Sequence, residues 1–206
     1  QAGRLISSAK SWLCHGGVDR EAAILPWGSD LAVGKLSPVD VSARYLGHLV
    51  ASWDEQTPDY PLGDQDVVLA VPASFDEVAR ELTVEAAARA GLSRVRLLEE
   101  PQAALYAWTA ARPVWREQLV NVEQILVIDV GGGTTDFSLV AVRETPAGPG
   151  LERTFVGEHL LVGGDNMDLA LAHVVAGDQR AALDAARWQQ LTLQVRLAKE
   201  RLLSAG

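Results

Sequence analysis

The sequence predicts an α/β protein built from two lobes. In residues 66–111, apolar strands alternate with amphipathic helices, a pattern that favours a parallel sheet covered by helices. In residues 124–161, strand segments follow one another around a glycine-rich turn, which favours an antiparallel unit. Helical composition then dominates residues 163–204. At 206 residues the chain is long enough for one large domain or two small lobes with a substantial core.

The first forty residues are predicted to contain little regular structure. A short amphipathic segment spans residues 7–13, and glycines and prolines between residues 16 and 28 interrupt any longer element. The segment Ser37-Pro38-Val39-Asp40 predicts a helix start, because proline suits the first turn and an acid there interacts favourably with the helix dipole. Apolar side chains at helical spacing mark the face expected to be buried: Val41, Tyr45, Leu46 and Leu49.

The next segments predict the first lobe. Residues 66–71 are almost wholly apolar, as in a buried parallel strand. Ser74-Phe75-Asp76-Glu77 has the spacing of a capping box and predicts a helix that ends at Gly91. The face of this helix expected to be buried holds Val78, Leu82, Ala86 and Ala90. A short strand follows at residues 95–98, and Pro101 begins a helix that extends through Ala111.

The second lobe is predicted after a polar connector at residues 112–123. Its elements are strands at 124–130 and 136–143, a loop at 144–150, a strand at 153–161 that pairs back, a helix from Gly163, and a final helical segment at 179–204. The helix that begins at Gly163 is expected to bury Met167, Leu171, Val174 and Val175.

Composition excludes several classes of protein. The net charge of −9 argues against general nucleic-acid binding, which depends on basic surface. No apolar run approaches the roughly 20 residues that span a bilayer, and the N-terminus lacks the plan of a signal peptide. The single cysteine, Cys14, excludes an internal disulfide framework and a cysteine-based zinc site. We therefore expect a soluble, cytoplasmic protein without nucleic-acid or membrane partners.

The most informative segment is Ile125–Asp136, in which a strand carries Asp129 and leads into three glycines, two threonines and Asp136. Consecutive glycines allow unusual backbone conformations, and their N–H groups can form a concave site for phosphate. A carboxylate beside such a site suits Mg²⁺, which retains water ligands and bridges to phosphates. The alternative is a plain hairpin turn with a buried acid. Because a two-residue turn would serve a hairpin, we favour phosphate and metal binding.

Three other segments are weaker candidates. Glu99-Glu100-Pro101 places two acids where they could orient water or help to hold Mg²⁺, although acids also stabilise a helix start by roughly 0.3–1 kcal/mol. Val162-Gly163-Gly164-Asp165-Asn166 could bind an anion or ribose at a helix start, or form a tight turn capped by Asp165. Lys10, taken alone, is an ordinary surface lysine.

These segments together resemble the nucleotide-binding domain of the seventy-kilodalton heat-shock chaperones of the DnaK type, in the actin and sugar-kinase ATPase superfamily. The matching segments, in chain order, are Ala9-Lys10, Val71-Pro72-Ala73-Ser74-Phe75 with Arg80, Glu100-Pro101-Gln102-Ala103-Ala104, Asp129–Asp136, Val162–Asp168 and Ala198–Ser204. The resemblance implies a two-lobed, actin-like (ribonuclease H-like) ATPase fold. It also implies ATP or ADP and Mg²⁺ as cofactors, with K⁺ as a further candidate.

The resemblance also implies a role for each matching residue. Those implied to act in catalysis are Lys10, Glu100, Asp129 and Thr134. Those implied to contact the nucleotide are Gly131, Gly132, Gly133, Thr134, Gly163, Gly164, Lys199, Arg201 and Ser204. Those implied to hold the metal, mostly through water, are Asp129, Asp136 and Glu100. Pro72 and Arg80 resemble the pair that passes the nucleotide state to a partner domain.

The chain departs from the family pattern in places. The first phosphate loop and the later adenosine loop have no counterpart, so we expect a central fragment of the ATPase domain, with little activity of its own. The implied subdomains are 1–44 (part of the small subdomain of lobe I), 45–119 (core of lobe I), 120–162 (core of lobe II) and 163–206 (part of the helical subdomain of lobe II). Ser11, Gln102 and Thr135 replace family residues, and the last helix is shifted by one residue.

The implied function is Mg²⁺-dependent ATP hydrolysis that drives lobe closure in a DnaK-like chaperone. The implied partners are ATP, a peptide-binding domain, unfolded client proteins, co-chaperones and nucleotide-exchange factors. Two alternatives stay open: a nucleotide-binding scaffold that does not hydrolyse ATP, and a sugar kinase of the same superfamily.

Overall fold

A computed structural model describes residues 6, 9–28, 34–146, 148–158 and 160–204. The helices are α1 (Ala9–Leu13), α2 (Pro38–Gln56), α3 (Glu77–Arg89), α4 (Glu100–Ala110), α5 (Trp115–Gln118), α6 (Gly164–Ala176) and α7 (Ala185–Ser204). The strands are β1 (Val67–Val71), β2 (Val95–Glu99), β3 (Gln124–Val130), β4 (Thr135–Thr145) and β5 (Gly148–Val156). Short 3₁₀ segments lie at Leu62–Asp64 and Gly177–Ala182.

The strands form two separate sheets, which confirms the predicted α/β class. In lobe I, comprising α1 to α4, β1 and β2 pair in parallel from Val67 opposite Val95 to Val71 opposite Glu99, and α3 connects them. In lobe II, comprising β3 to α7, the three strands form an antiparallel sheet in the order β3-β4-β5. The short helix α5 lies in the connector between the lobes.

The core of lobe I lies between α1, α2, α3 and β1. Its buried members are Leu13, Val39, Val71, Phe75, Ala79, Leu82 and Ala86. The start of α2 is fixed by Ser37, whose hydroxyl accepts a hydrogen bond from the Asp40 amide while the Asp40 carboxylate accepts one from the Ser37 amide. This capping box confirms the predicted helix start, with Pro38 in the first turn. Leu13 of α1 and Val39 of α2 belong to the same core.

The start of α3 and part of its buried face differ from the prediction. The cap is Asp76 rather than Ser74, because the Asp76 carboxylate accepts a hydrogen bond from the Ala79 amide, so the helix begins at Glu77. Leu82 and Ala86 are buried as predicted, but the other buried positions of the helix are not the predicted ones. Ala79, Leu82, Thr83, Ala86 and Ala87 are buried, whereas Val78 is 52% exposed. Small side chains allow α3 to approach the core closely, which apolar periodicity alone did not indicate.

The β4–β5 hairpin is longer and tighter than predicted. The strands pair as far as Thr145 opposite Gly148, so most of the expected loop at 144–150 is strand, and β5 ends at Val156 rather than at residue 161. Gly148 adopts a φ of +100° at the turn, a conformation that glycine accepts without strain. The glycines and prolines of this segment therefore mark a tight turn and not an extended loop.

Several faces that were expected to be buried are exposed. On α6 the buried residues are Asp168, Ala172 and Ala176, whereas Met167, Leu171, Val174 and Val175 are exposed. On α2, Tyr45 and Leu49 are likewise exposed. One face of β3 is also open to solvent, because Leu126, Ile128 and Val130 are each more than half exposed. Within the described residues, no helix combines the length and apolar character needed to cross a bilayer.

The Arg20–Asp76 pair supports a prediction about stability. Arg20 donates two hydrogen bonds of 2.7 and 2.8 Å to the Asp76 carboxylate, and these bonds hold the pKa of Asp76 below its usual value. We expect Asp76→Ala to lower the unfolding free energy by about 0.5–2 kcal/mol through loss of the cap, and Asp76→Asn to lower it less, because asparagine also caps helices. Urea denaturation of the 206-residue chain measures both.

The pH dependence of that stabilisation has a definite sign. Because the pKa of Asp76 is lower in the folded than in the unfolded state, its charge stabilises the fold above the unfolded value of about 4. The contribution is lost as the pH falls through the folded pKa. The difference between wild type and Asp76→Asn should therefore shrink below about pH 4. Equal losses in the alanine and asparagine variants at pH 7 would contradict the capping role.

Candidate functional site

The triple-glycine segment forms the turn of the β3–β4 hairpin. Val130 pairs with Thr135, and the Gly131 amide donates a 2.8 Å hydrogen bond to the Thr134 carbonyl, which closes a four-residue turn. The hairpin alternative is therefore correct about the local geometry. The central pair Gly132-Gly133 would be enough for such a hairpin, so the hairpin alone does not require the third glycine, Gly131.

One side of this turn is joined to the start of α6. The amides of Gly164 and Asp165 donate hydrogen bonds of 3.0 and 2.7 Å to the carbonyls of Gly131 and Gly132. A Cβ atom at Gly163 would lie 2.6–2.8 Å from backbone atoms of the same two residues, so only glycine fits there. The two glycine motifs of the sequence, which are separated by some thirty residues, thus form a single backbone junction, here called the glycine junction.

The other side of the turn carries the backbone N–H groups that could bind an anion. Within the described part of the chain, the amides of Gly132, Gly133 and Thr134 donate no hydrogen bond to a protein acceptor. Backbone N–H groups are nearly always satisfied by protein, water or ligand. Successive N–H groups in a turn form a concave site that suits an anion. The arrangement can therefore bind phosphate oxygens on the face opposite α6.

The glycine junction uses the N–H groups at the start of α6. The amides of residues 163–166 all donate within the protein, with the Gly163 amide bonded to the Asn166 side-chain oxygen at 2.9 Å. Asp165 does not cap the helix. Its carboxylate lies 3.5 Å from Arg196. The start of α6 therefore has no free N–H groups for an anion, and Gly163 and Gly164 act by permitting close approach of the backbone.

Two carboxylates stand directly opposite each other beside the turn. Asp129 on β3 and Asp136 on β4 are paired in register, so their side chains share one face of the hairpin. Like charges in directly opposed positions are destabilising unless something neutralises them. Ser74 of lobe I approaches this pair, with its hydroxyl 3.4 Å from an Asp136 oxygen. The two carboxylates thus make this end of the hairpin negatively charged, and Asp136 lies next to lobe I.

Lys10 and Glu100 meet although they are 90 residues apart. The Lys10 ammonium lies 2.6 Å from a Glu100 carboxylate oxygen. Lys10 extends from α1, whose Ala9 is buried, and Glu100 begins α4 at the carboxyl end of β2. The Lys10 side chain is half exposed whereas that of Glu100 is 19% exposed, so the pair is open to solvent on the lysine side.

The proposed coupling residues lie behind this pair. Pro72 is fully buried directly after β1. Arg80 of α3 donates a 2.8 Å hydrogen bond to Glu99, the residue before Glu100. A second arginine, Arg153 of β5, also pairs with Glu99. Arg80 is therefore connected both to the start of α4 and, through Glu99, to lobe II.

The residues expected to contact adenosine lie on α7, packed against α6. The Lys199 ammonium is 2.6 Å from the Asp168 carboxylate, which is only 4% exposed. Arg201 is exposed, and the Ser204 hydroxyl donates to the Glu200 carbonyl at 2.6 Å. In this arrangement Lys199 holds the two helices together, and its ammonium is committed to Asp168.

The donor set suits a magnesium ion held mainly through water. The described residues contain no group of three or more histidine, cysteine or acidic side chains placed to bind a metal directly. The opposed Asp129 and Asp136 supply hard oxygen ligands of the type that Mg²⁺ prefers. Mg²⁺ usually takes only one or two carboxylates and completes its shell with water and phosphate. The residues present therefore fit this ion.

Two lobes with separate sheets, and a glycine turn with acids beside it, are features that the resemblance leads one to expect of an actin-like ATPase domain. Residues 26–205 match the family model described as "Hsp70 protein". The chain therefore belongs to the Hsp70 family. This membership also confirms the predicted actin-like fold, since the ATPase domain of that family has it.

Two named relatives support this family membership. The chain is 38% identical over 175 residues to the "Chaperone protein HscA homolog" of Bordetella pertussis, covering 82% of this chain and 25% of that protein. It is 36% identical over 210 positions to the protein of the same name from Acidithiobacillus ferrooxidans, covering 96% of this chain and 31% of that protein. The chain thus spans between a quarter and a third of the length of these relatives.

Sequence reasoning missed two partners in the site. Arg153 lay in a segment assigned only as a strand, and no local pattern shows that it reaches Glu99. Asp168 is the last residue of the segment Val162–Asp168, and no role was predicted for it from the sequence. An acid at an inward position of a helix is nevertheless a signal of a buried ion pair, which here is formed with Lys199. Both partners are distant in sequence from the residues they contact.

Proposed function

We propose that this chain is the central part of the ATP-binding and ATP-hydrolysing domain of an Hsp70-type chaperone related to the HscA homologues. The observation that carries the proposal is the turn at Gly131–Thr134. Its Gly131 and Gly132 carbonyls accept hydrogen bonds from the start of α6, whereas the amides of residues 132–134 have no acceptor among the residues that the structure describes. A turn held on one face and open on the other is preorganised for phosphate, because the ligand need not order the backbone.

The residues around the turn have separate proposed roles in binding and hydrolysis. The amides of Gly132, Gly133 and Thr134 bind phosphate oxygens. Glu100, the better shielded member of its pair, orients the attacking water, and Lys10 neutralises charge on the transferred phosphoryl group. When Mg²⁺ is bound, Asp129 and Asp136 would hold it, mainly through water. Mg²⁺, when bound, stabilises negative charge on the phosphates.

The other assignments follow from the same proposal. Gly163 and Gly164 contribute by holding the glycine turn against α6, which leaves the other face of that turn open to the nucleotide. Lys199, Arg201 and Ser204 lie on α7, the helix proposed to be nearest the adenosine, and K⁺ is a further candidate ion. Pro72 and Arg80 transmit lobe closure to a peptide-binding domain. Client proteins, co-chaperones and nucleotide-exchange factors are the proposed partners of the full-length protein, in the cytoplasm.

The subdomain division is also proposed on this basis. Residues 1–44 and 163–206 belong to the outer subdomains, and residues 45–119 and 120–162 form the cores of the two lobes. Each core contains its own sheet, and the proposed boundary between the two cores directly follows α5.

Phosphate release by the full-length protein tests this function. We expect ATP turnover that stops when EDTA removes Mg²⁺ and that does not depend on added sugars. Tight nucleotide binding without turnover would instead support a scaffold that does not hydrolyse ATP. Turnover that requires a sugar acceptor would support a kinase of the same superfamily. Either result would overturn the proposed ATPase.

A further inference from the structure

One carboxylate receives arginines from both lobes. Glu99 is the last residue of β2, and its side chain is only 14% exposed. Arg80 reaches it from α3 within lobe I at 2.8 Å, and Arg153 reaches its other oxygen from β5 in lobe II. About a third of each arginine side chain is exposed. The three residues form a charge cluster that crosses the interface between the lobes.

The cluster differs in kind from the surface ion pairs of this chain. Exposed pairs contribute little, because water screens the charges and the side chains lose entropy. A carboxylate that is largely withdrawn from water depends on its partners, and removing one leaves a charge that is poorly solvated. Arg153 therefore contributes to holding lobe II against the end of β2.

The position of Glu99 connects this contact to the proposed reaction site. The next residue, Glu100, begins α4 and carries the carboxylate that pairs with Lys10 at 2.6 Å. Because adjacent residues share a backbone, fixing Glu99 between two arginines also restricts the start of α4. Displacement of lobe II would release one of the two restraints on that segment.

We propose that Arg153 and Glu99 form a latch between the lobes, and that they act as positioning residues that keep the cleft closed and Glu100 in place. The latch itself depends only on the contact between the lobes, whereas its effect on nucleotide rests on the proposed function. Arg80 supports the latch from within lobe I, because it neutralises the same carboxylate without crossing the interface.

The direct test is the distance between the lobes in the 206-residue chain without nucleotide. In a Cys14→Ser background, fluorescent labels at Glu55 of α2 and Glu144 of β4, both exposed, report this distance by energy transfer. We expect Arg153→Gln to shift the population toward longer distances and Arg153→Lys to restore most of the wild-type transfer. The double variant Glu99→Gln/Arg153→Gln should add little to the single variants, because both remove one interaction.

A matched control lies on the same hairpin. Arg143 pairs with Glu152 at 3.3 Å, but both side chains are more than 60% exposed and both belong to lobe II. Arg143→Gln should leave the distance unchanged. Unchanged transfer in Arg153→Gln, or equal shifts in Arg153→Gln and Arg143→Gln, would overturn the latch. Circular dichroism of each variant shows whether a loss of energy transfer comes from unfolding. If Arg153→Gln is unfolded, the distance measured in Arg153→Lys decides whether the charge of the side chain holds the lobes together.

Nucleotide release separates this inference from the proposed function. In the full-length protein we expect Arg153→Gln to release labelled ADP about tenfold faster, within the range typical of coupling between sites. If the wild-type protein bound no nucleotide while the distance shift persisted, the ATPase proposal would fail and the latch would stand. If nucleotide bound but Arg153→Gln left both its release and the distance unchanged, the latch would fail and the ATPase proposal would stand.

Discussion

Gly163→Ala is expected to lower the unfolding free energy of the 206-residue chain by about 3 kcal/mol or more. The added Cβ would lie 2.6 Å from the Gly131 carbonyl oxygen and 2.7 Å from that of Gly132. Neither obstacle is the end of a flexible side chain, so the backbone of the turn or the start of α6 would have to move. Such a movement breaks the hydrogen bonds from the Gly164 and Asp165 amides.

The cost arises from the steric clash alone. The backbone at Gly163 is extended, with φ −164° and ψ −160°, a conformation that any residue adopts. Gly164→Ala is therefore the matched control, because a Cβ there would meet its nearest atoms at 3.7–3.8 Å, an ordinary contact distance. Urea denaturation of the two variants measures the difference. Equal stability of both variants would mean that the glycine junction does not exist in solution.

Glu100→Gln and Lys10→Met are each expected to reduce ATP hydrolysis by the full-length protein by about 10²-fold or more. Glu100 loses the charge with which it orients water, and Lys10 loses the charge that stabilises the transferred phosphoryl group. Because the two side chains touch at 2.6 Å, the double variant should be much less impaired than the product of the two single effects predicts.

Phosphate release at saturating ATP measures these effects without interference from weakened binding. Arg89→Gln is a suitable control, because Arg89 pairs with Asp40 and Glu85 elsewhere in lobe I and its side chain is 42% exposed. Its turnover should match that of the wild type. Wild-type turnover by both site variants would show that Lys10 and Glu100 do not take part in the reaction.

Local chemistry made much of the fold predictable. Ser37 and Pro38 determined the start of α2, Gly91 ended the α3 region with a φ of +89°, and Pro101 fixed the first turn of α4. Each of these residues acts through its own backbone conformation or capping hydrogen bond, so the information is contained within a few positions of the chain.

The buried faces of helices were harder to predict. On α6 the large apolar residues point outward, and the inward positions hold Asp168 and two alanines. Asp168 is acceptable there only because Lys199 of α7 reaches it, a partner 31 residues later in the sequence. Apolar periodicity assigns faces by hydrophobicity, and it fails where small residues and a buried ion pair let two helices approach closely.

In the candidate site, too, local features were predictable from the sequence and contacts between distant residues were not. The glycine turn and its acids were identifiable from one short segment, whereas the junction between Gly163 and Gly131 depends on how α6 packs. The helix-start amides were a candidate anion site, with a tight turn as the alternative, but they donate hydrogen bonds to the glycine turn. Contacts between the lobes, such as Arg153 with Glu99, leave no local pattern in the sequence.

The most direct test of the central claim, that the amides of the glycine turn bind the phosphates of a magnesium nucleotide, is a calorimetric titration of the full-length protein with adenosine, AMP, ADP and ATP. We predict that affinity rises steeply once a second phosphate is present and falls when EDTA removes Mg²⁺. Adenosine that binds as tightly as ADP, or affinities that do not change without Mg²⁺, would contradict the claim.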